Sequence, residues 1–110
     1  MTMNTSTNCV DACMACLIAC ENCINDCINN NNKFCIILCR DCADICALCA
    51  RLEMRHSVVR HTVLALCAKI CNDCAIECAK HAAHQASCKT CEEACKKCEE
   101  ACKEIAIIAV

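Results

Sequence analysis

The cysteines of this chain are spaced three or four residues apart in strict alternation, and that regularity decides most of the fold. They fall into four groups: Cys9, Cys13, Cys16, Cys20, Cys23 and Cys27; Cys35, Cys39, Cys42, Cys46 and Cys49; Cys67, Cys71, Cys74 and Cys78; and Cys88, Cys91, Cys95, Cys98 and Cys102. Such alternation is the seam of an amphipathic helix, one narrow stripe along one face, whereas a strand would need a period of two. The pattern reads as one helical unit written four times, with cysteine where a bundle normally places Leu or Ile. Gly and Pro are both absent. Sandwiches, barrels and disulfide mini-proteins depend on them for tight turns and positive φ. The expected fold is all-α.

The breaks between stripes fit short loops. Asn29–Asn32 separates the first two, and Asn is the residue besides Gly that best accepts a left-handed turn conformation. Residues 53–56 lead into Ser57, a residue type suited to N-capping, and Leu64 continues the third stripe one step before Cys67. Helices are expected over about 6–29, 33–53, 57–82 and 85–105. Short connections favour antiparallel neighbours, hence a single domain over residues 1–110, an up-down-up-down four-helix bundle with a cysteine-lined core. Val10, Met14, Leu17, Ile24 and Ile28 each follow a cysteine of the first stripe, and Phe34, Leu38, Ile45 and Leu48 each precede one of the second. They should widen the stripes into packing faces. Glu92–Lys96, Glu93–Lys97 and Glu99–Lys103 are i,i+4 pairs that mark a solvated face on the fourth helix.

Four inward stripes put twenty thiols into one tube. Free cysteine is a small hydrophobe, which accounts for one or two in a core but not for the loss of packing volume throughout it. Stripe neighbours inside a continuous helix are poorly placed for unstrained disulfides; bridges between helices stay open for oxidised material. Metal remains, with thiolate as the ligand. Zn(II) sites of four thiolates would use all 20 cysteines with five ions and leave about ten negative charges indoors, which is prohibitive. A soft monovalent cation at roughly one per thiolate neutralises the interior, and Cu(I) fits because thiolate selects it. Ag(I), Zn(II) and Cd(II) remain open on this ground alone, a Zn(II)/Cd(II) thiolate buffer being the main rival. An iron–sulfur electron carrier is less favoured, since its clusters use loop cysteines with Gly or Pro nearby; a thiol redox reservoir is the third alternative.

Three runs carry a family resemblance. Cys42-Ala-Asp-Ile-Cys46-Ala, the run Glu77-Cys78-Ala-Lys80-His81 continuing to Cys88, and Cys91-Glu-Glu-Ala-Cys95 resemble the copper storage proteins, above all their bacterial cytosolic branch. The resemblance spans Cys9 to Cys102. It implies a four-helix bundle, often assembled into tetramers, that holds many Cu(I) ions through its cysteine thiolates. Ser87 departs from the pattern, because relatives often place His immediately before the first cysteine of the last helix.

Continuing the stripes past their last cysteines shows the two ends of the tube. His81 lies three beyond Cys78 and His84 four before Cys88, at the end that holds the Asn29–Asn32 loop. They read either as solvated helix-end histidines or as residues that receive copper and pass it to Cys78, Cys88 and Cys27, the reading that the resemblance favours. At the far end Leu64 and Ile105 continue their stripes, with Ile107, Ile108 and Val110 nearby, and the second stripe steps to Glu53. A mostly apolar plug is expected there, or a subunit contact. Arg51, Arg55, His56, Arg60 and His61 form a basic cluster at this end, read as a solvated face.

Eleven basic against 13 acidic residues leave no footprint for nucleic acid. No membrane span or signal peptide is expected, so the chain is read as cytoplasmic, where thiols stay reduced. No catalytic constellation recurs, and an enzyme is not expected. Expected partners are copper ions, a copper chaperone or small thiol carrier, and further copies of the chain.

Overall fold

The structure, a computed structural model, describes residues 5–108, with side chains from Thr7 to Ile105. It consists of α1 (Thr5–Asn30), α2 (Lys33–Met54), α3 (Arg60–Ala79) and α4 (Ala86–Ile108), with no strand among the described residues. Each helix packs on its neighbours in the chain and α4 returns against α1. The four therefore close into an antiparallel ring, with α1 opposite α3 and α2 opposite α4.

Without glycine, the first two chain reversals fall to other residues. Asn31 (φ 59) and His56 (φ 52) adopt the left-handed conformation. Around Asn31 the Asn32 N–H reaches back to the Cys27 carbonyl (3.4 Å), and around His56 the Ser57 N–H reaches that of Leu52 (3.0 Å). Both are six-to-one closures that satisfy carbonyls at a helix C-terminus. Asn and His are among the non-glycine types found most often in this region.

The second reversal moves the start of α3 from the expected Ser57 to Arg60. Ser57 Oγ accepts the Val59 N–H (3.3 Å), bracing the turn, and the helix begins from Val59 without a side-chain cap. At its other end α3 stops at Ala79 and residues 80–84 are turns, so the expected 57–82 is shortened from both sides. The last helix runs past the expected 105 to Ile108.

All 20 cysteines are at most 1% exposed. Around them, Ala19, Ala43, Ala50, Ala68 and Ala75 are buried and let the helices approach closely. The apolar shoulders of the stripes divide. Ile45 is buried, and Val10, Leu17, Ile24 and Leu38 pack partly against the core. Met14, Ile28, Phe34 and Leu48, expected to pack, are 40–62% exposed. A sulfur-filled interior is narrow, so a side chain one step off the stripe reaches the seam between helices or passes outside it.

By length and composition alone Thr7–Asn30 would be long and apolar enough to cross a membrane. Six inward cysteines supply much of that apolarity, and α1 is a core helix of the bundle. On the outer face of α4, Lys96–Glu92 and Lys103–Glu99 pair at 2.7 Å each, while Glu93 meets Lys89 (3.6 Å) in place of the expected Lys97.

Candidate metal centre

Because each stripe repeats at the helical period, each helix hands its sulfurs to the axis at successive levels. At the centre, Cys42 Sγ lies 3.6 Å from Cys16, 3.7 Å from Cys71 and 3.8 Å from Cys95, so one thiol of α2 touches all three other helices. The last contact crosses the ring diagonally, as do Cys39–Cys91 (4.0 Å) and Cys46–Cys98 (3.8 Å). The interior is thus one column of sulfur. These separations are far beyond the roughly 2.05 Å of an S–S bond, and every cysteine is a free thiol.

The sulfurs group into overlapping tetrads whose Sγ atoms lie within 4.8 Å of one another. Cys16, Cys20, Cys42 and Cys95 form one; Cys16, Cys42, Cys46 and Cys71 form another. Cys9, Cys13, Cys49 and Cys102 share Cys13 and Cys102 with a group that adds Cys67 and Cys98, and Cys20, Cys74, Cys91 and Cys95 continue the chain of tetrads upward. Near the α1–α2 loop, Cys23, Cys27 and Cys88 lie within 4.0 Å of one another, Cys35 meets Cys27 at 3.7 Å, and Cys78 meets Cys35 at 4.0 Å. Shared members are the geometry of bridging thiolates rather than of separate sites.

Ionisation of the thiols is governed by burial and by one another. At the mouth, burial pushes the Cys88 thiol up to about 12, against help from the Cys23 hydrogen bond. Burial likewise raises Cys27. Deeper in, hydrogen bonds first from Cys102 and then from Cys13 hold Cys98 down at about 7. A thiol whose folded pKa is raised stabilises the metal-free fold below the ordinary thiol value, and that contribution is lost as pH rises towards the folded pKa. Metal-free protein should therefore weaken between about pH 9 and 12, and Cys88→Ala should weaken less steeply, by up to about 1.4 kcal/mol per pH unit. Urea unfolding across that range checks this, and equal slopes would refute it.

The mouth differs from its expected form. His84 is exposed, and the polar side chain that reaches the core is Gln85, whose Nε2–H donates to Cys27 Sγ (3.8 Å) and to Ser87 Oγ (3.4 Å). Extrapolating the α4 stripe backwards missed it, because the chain before Ala86 is a turn and no longer keeps helical register. His81 is partly buried beside Cys78, and its Nε2 is 2.9 Å from Glu77 Oε2. At the other end Leu64 and Ile105 are buried as expected, and the fully buried Glu53 carboxylate lies 3.9 Å from Arg60 Nε. Arg60 in turn donates to His56 Nδ1 (2.8 Å). Two members of the basic cluster thus join the buried carboxylate at this end. The side chains of Ile107, Ile108 and Val110 lie outside the described residues.

Among the described residues, the buried charged side chains are Glu53 and Glu77. Both are acidic, so no buried Lys or Arg balances an ionised thiol. An ion entering this column has to supply the positive charge itself.

Comparison with known proteins gives one family: the model for copper storage proteins matches residues 2–107. A curated relative, the uncharacterized cysteine-rich protein YhjQ of Bacillus subtilis (strain 168), is 38% identical over 86 residues, 78% of each chain. A solved structure described as Cu(I)-bound copper storage protein BsCsp3 superposes with a TM-score of 0.87 at 37% identity, covering 94% of this chain and 99% of that one. Another, of copper loading with five coppers to a cytosolic copper storage protein from Streptomyces lividans, gives 0.89 at 35%, covering 94% and 92%.

Proposed function

The chain belongs to the copper storage protein family, and from that premise we propose that its twenty cysteines are the ligands that hold Cu(I) as cargo along the core. The observation that carries this is the pairing of a continuous sulfur column with an interior that holds no buried basic side chain among the described residues. Thiolate separations of 3.5–4.0 Å match the edge of a zinc tetrahedron, about 3.8 Å for Zn–S bonds of 2.3 Å. Spacing therefore does not select the metal; charge does. Four Cu(I) ions on four thiolates are neutral, whereas a single Zn(II) on four leaves a double negative charge in an apolar wall.

In this reading Cu(I) arrives at the mouth, where His81 and His84 offer imidazoles and Cys27, Cys78 and Cys88 offer the first sulfurs. Each thiol loses its proton as copper binds, so uptake releases protons and weakens in acid. The protein stores and does not catalyse. The relative from S. lividans is described as cytosolic, which supports a cytoplasmic place for this chain and delivery by a copper chaperone or small thiol carrier. The exposed Ile18, Phe34, Ile37 and Ile76 support assembly with further copies of the chain, as the tetramer of the resemblance implies.

The test is metal exchange. Protein loaded with Zn(II) and then given one Cu(I) per cysteine, anaerobically and reduced, should release all of its zinc, as read by elemental analysis after desalting. Retention of zinc would overturn Cu(I) as the cargo.

A further inference from the structure

We propose that Glu77 is a positioning residue that fixes the ring of His81 so that Nδ1 is the nitrogen presented to Cu(I) at the mouth. The proposal rests on the reading of His81 as an entry ligand and adds the residue through which that ligand is prepared. Glu77 closes the last turn of α3 immediately before Cys78, and its side chain is 9% exposed. Its two oxygens have different partners: Oε1 is 3.1 Å from Lys80 Nζ, and Oε2 is 2.9 Å from His81 Nε2. Phe34 and Leu38 of α2 share an open surface groove with Asp73, Ile76, Glu77 and Lys80, and the Glu77 side chain itself is largely withdrawn from water. Withdrawal of this kind strengthens a hydrogen bond.

An ionised carboxylate only accepts, so Nε2 is the nitrogen that carries hydrogen. A neutral ring then has its lone pair on Nδ1. A carboxylate behind one imidazole nitrogen fixes the tautomer and makes the other nitrogen a better ligand. The backbone holds the ring's base as firmly. The His81 N–H donates to the Cys78 carbonyl (3.0 Å), and the His81 carbonyl accepts from both His84 (3.1 Å) and Gln85 (3.0 Å). His81 is thereby fixed between the end of α3 and the residue whose amide meets Cys27. Lys80 answers a further difficulty: a carboxylate in the last turn of a helix opposes the dipole, and an adjacent ammonium offsets it.

The bland alternative is an i,i+4 pair that only secures the helix end. Three single variants and one double variant separate the two, each with far-UV circular dichroism matched to the wild type before use. His81→Ala should slow capture of the first Cu(I) equivalents from a weak chelator by about tenfold or more. Glu77→Ala should slow it to a similar degree, whereas Glu77→Gln, whose carbonyl can still accept from Nε2–H, should stay within about twofold of wild type. Adding Glu77→Ala to His81→Ala should cost nothing further. In metal-free protein, ring ¹⁵N shifts should report the Nε2–H form in the wild type and in Glu77→Gln, and a mixture in Glu77→Ala. If His81→Ala slows capture while Glu77→Ala does not, or if the wild-type ring is already a mixture, the positioning role is overturned and the entry role stands. If His81→Ala captures copper at the wild-type rate, the entry role falls and the positioning role with it.

Discussion

Titrated anaerobically with Cu(I), the fully reduced protein is expected to saturate near one ion per cysteine, about twenty per chain. Zn(II) should stop short of a quarter of that, because filling every four-thiolate site would leave about ten negative charges indoors. The argument is electrostatic. All 20 thiols are buried, and the charged side chains buried with them are the acidic Glu53 and Glu77. Every thiolate that forms must therefore meet its counter-charge in the metal, or its proton stays in place. A monovalent ion can continue to one per sulfur; a divalent ion in four-thiolate sites cannot, because each new site adds net negative charge. The metal-to-protein ratio at saturation, measured after removal of loosely held copper, reads the outcome. Saturation by Cu(I) near five equivalents would mean isolated four-thiolate sites and would sink the storage reading.

The second large effect concerns sharing. Cys42 Sγ has sulfur neighbours within 4.0 Å in Cys16, Cys46, Cys71 and Cys95, and belongs to at least two overlapping tetrads. With one copper per sulfur and two sulfurs per copper, each thiolate bridges two ions. Cys42→Ala should then lower capacity by about two ions rather than one, and should destabilise the metal-free fold by on the order of 1 kcal/mol for the lost sulfur contacts. Cys42→Leu is the instructive companion. It restores apolar volume and still loses the copper, and it overfills a narrow axis at a cost of about 1–3 kcal/mol. Elemental analysis at saturation and urea unfolding of the metal-free forms measure both effects. Loss of a single ion in each variant would show that the thiols act one site at a time.

The positions of the sulfurs were legible in the chain because a 3-4 alternation survives folding intact wherever the helix is continuous. Every cysteine from Cys9 to Cys102 faces the axis for that reason. Legibility failed where the helix stops. His84 was placed by carrying the α4 period back across residues that form a turn, and the chain there presents Gln85 to Cys27 instead. Ser57 was expected to start α3, but the left-handed His56 and the turn after it delay the helix to Arg60. The exposure of Phe34 and Ile28 escaped for another reason. Periodicity tells which residues neighbour the stripe but not how wide the interior is, and sulfur makes it narrower than leucine would. The Glu77–His81 pair was present in the sequence as an i,i+4 relation and was overlooked because neither partner's role shows in the cysteine stripe.

The difference between the two ends has a consequence for time rather than for capacity. Buried Leu64 and Ile105 stand at one end of the column beside the Glu53–Arg60 pair, and Gln85 and His81 stand at the other. Traffic along such a column passes from sulfur to sulfur, through positions already taken. Copper beside Cys88 stands at the exit, while copper beside Cys9 and Cys102 can leave only after its successors. A column filled and emptied through that one mouth would be a last-in, first-out register, its outer ions exchanging before its inner ones.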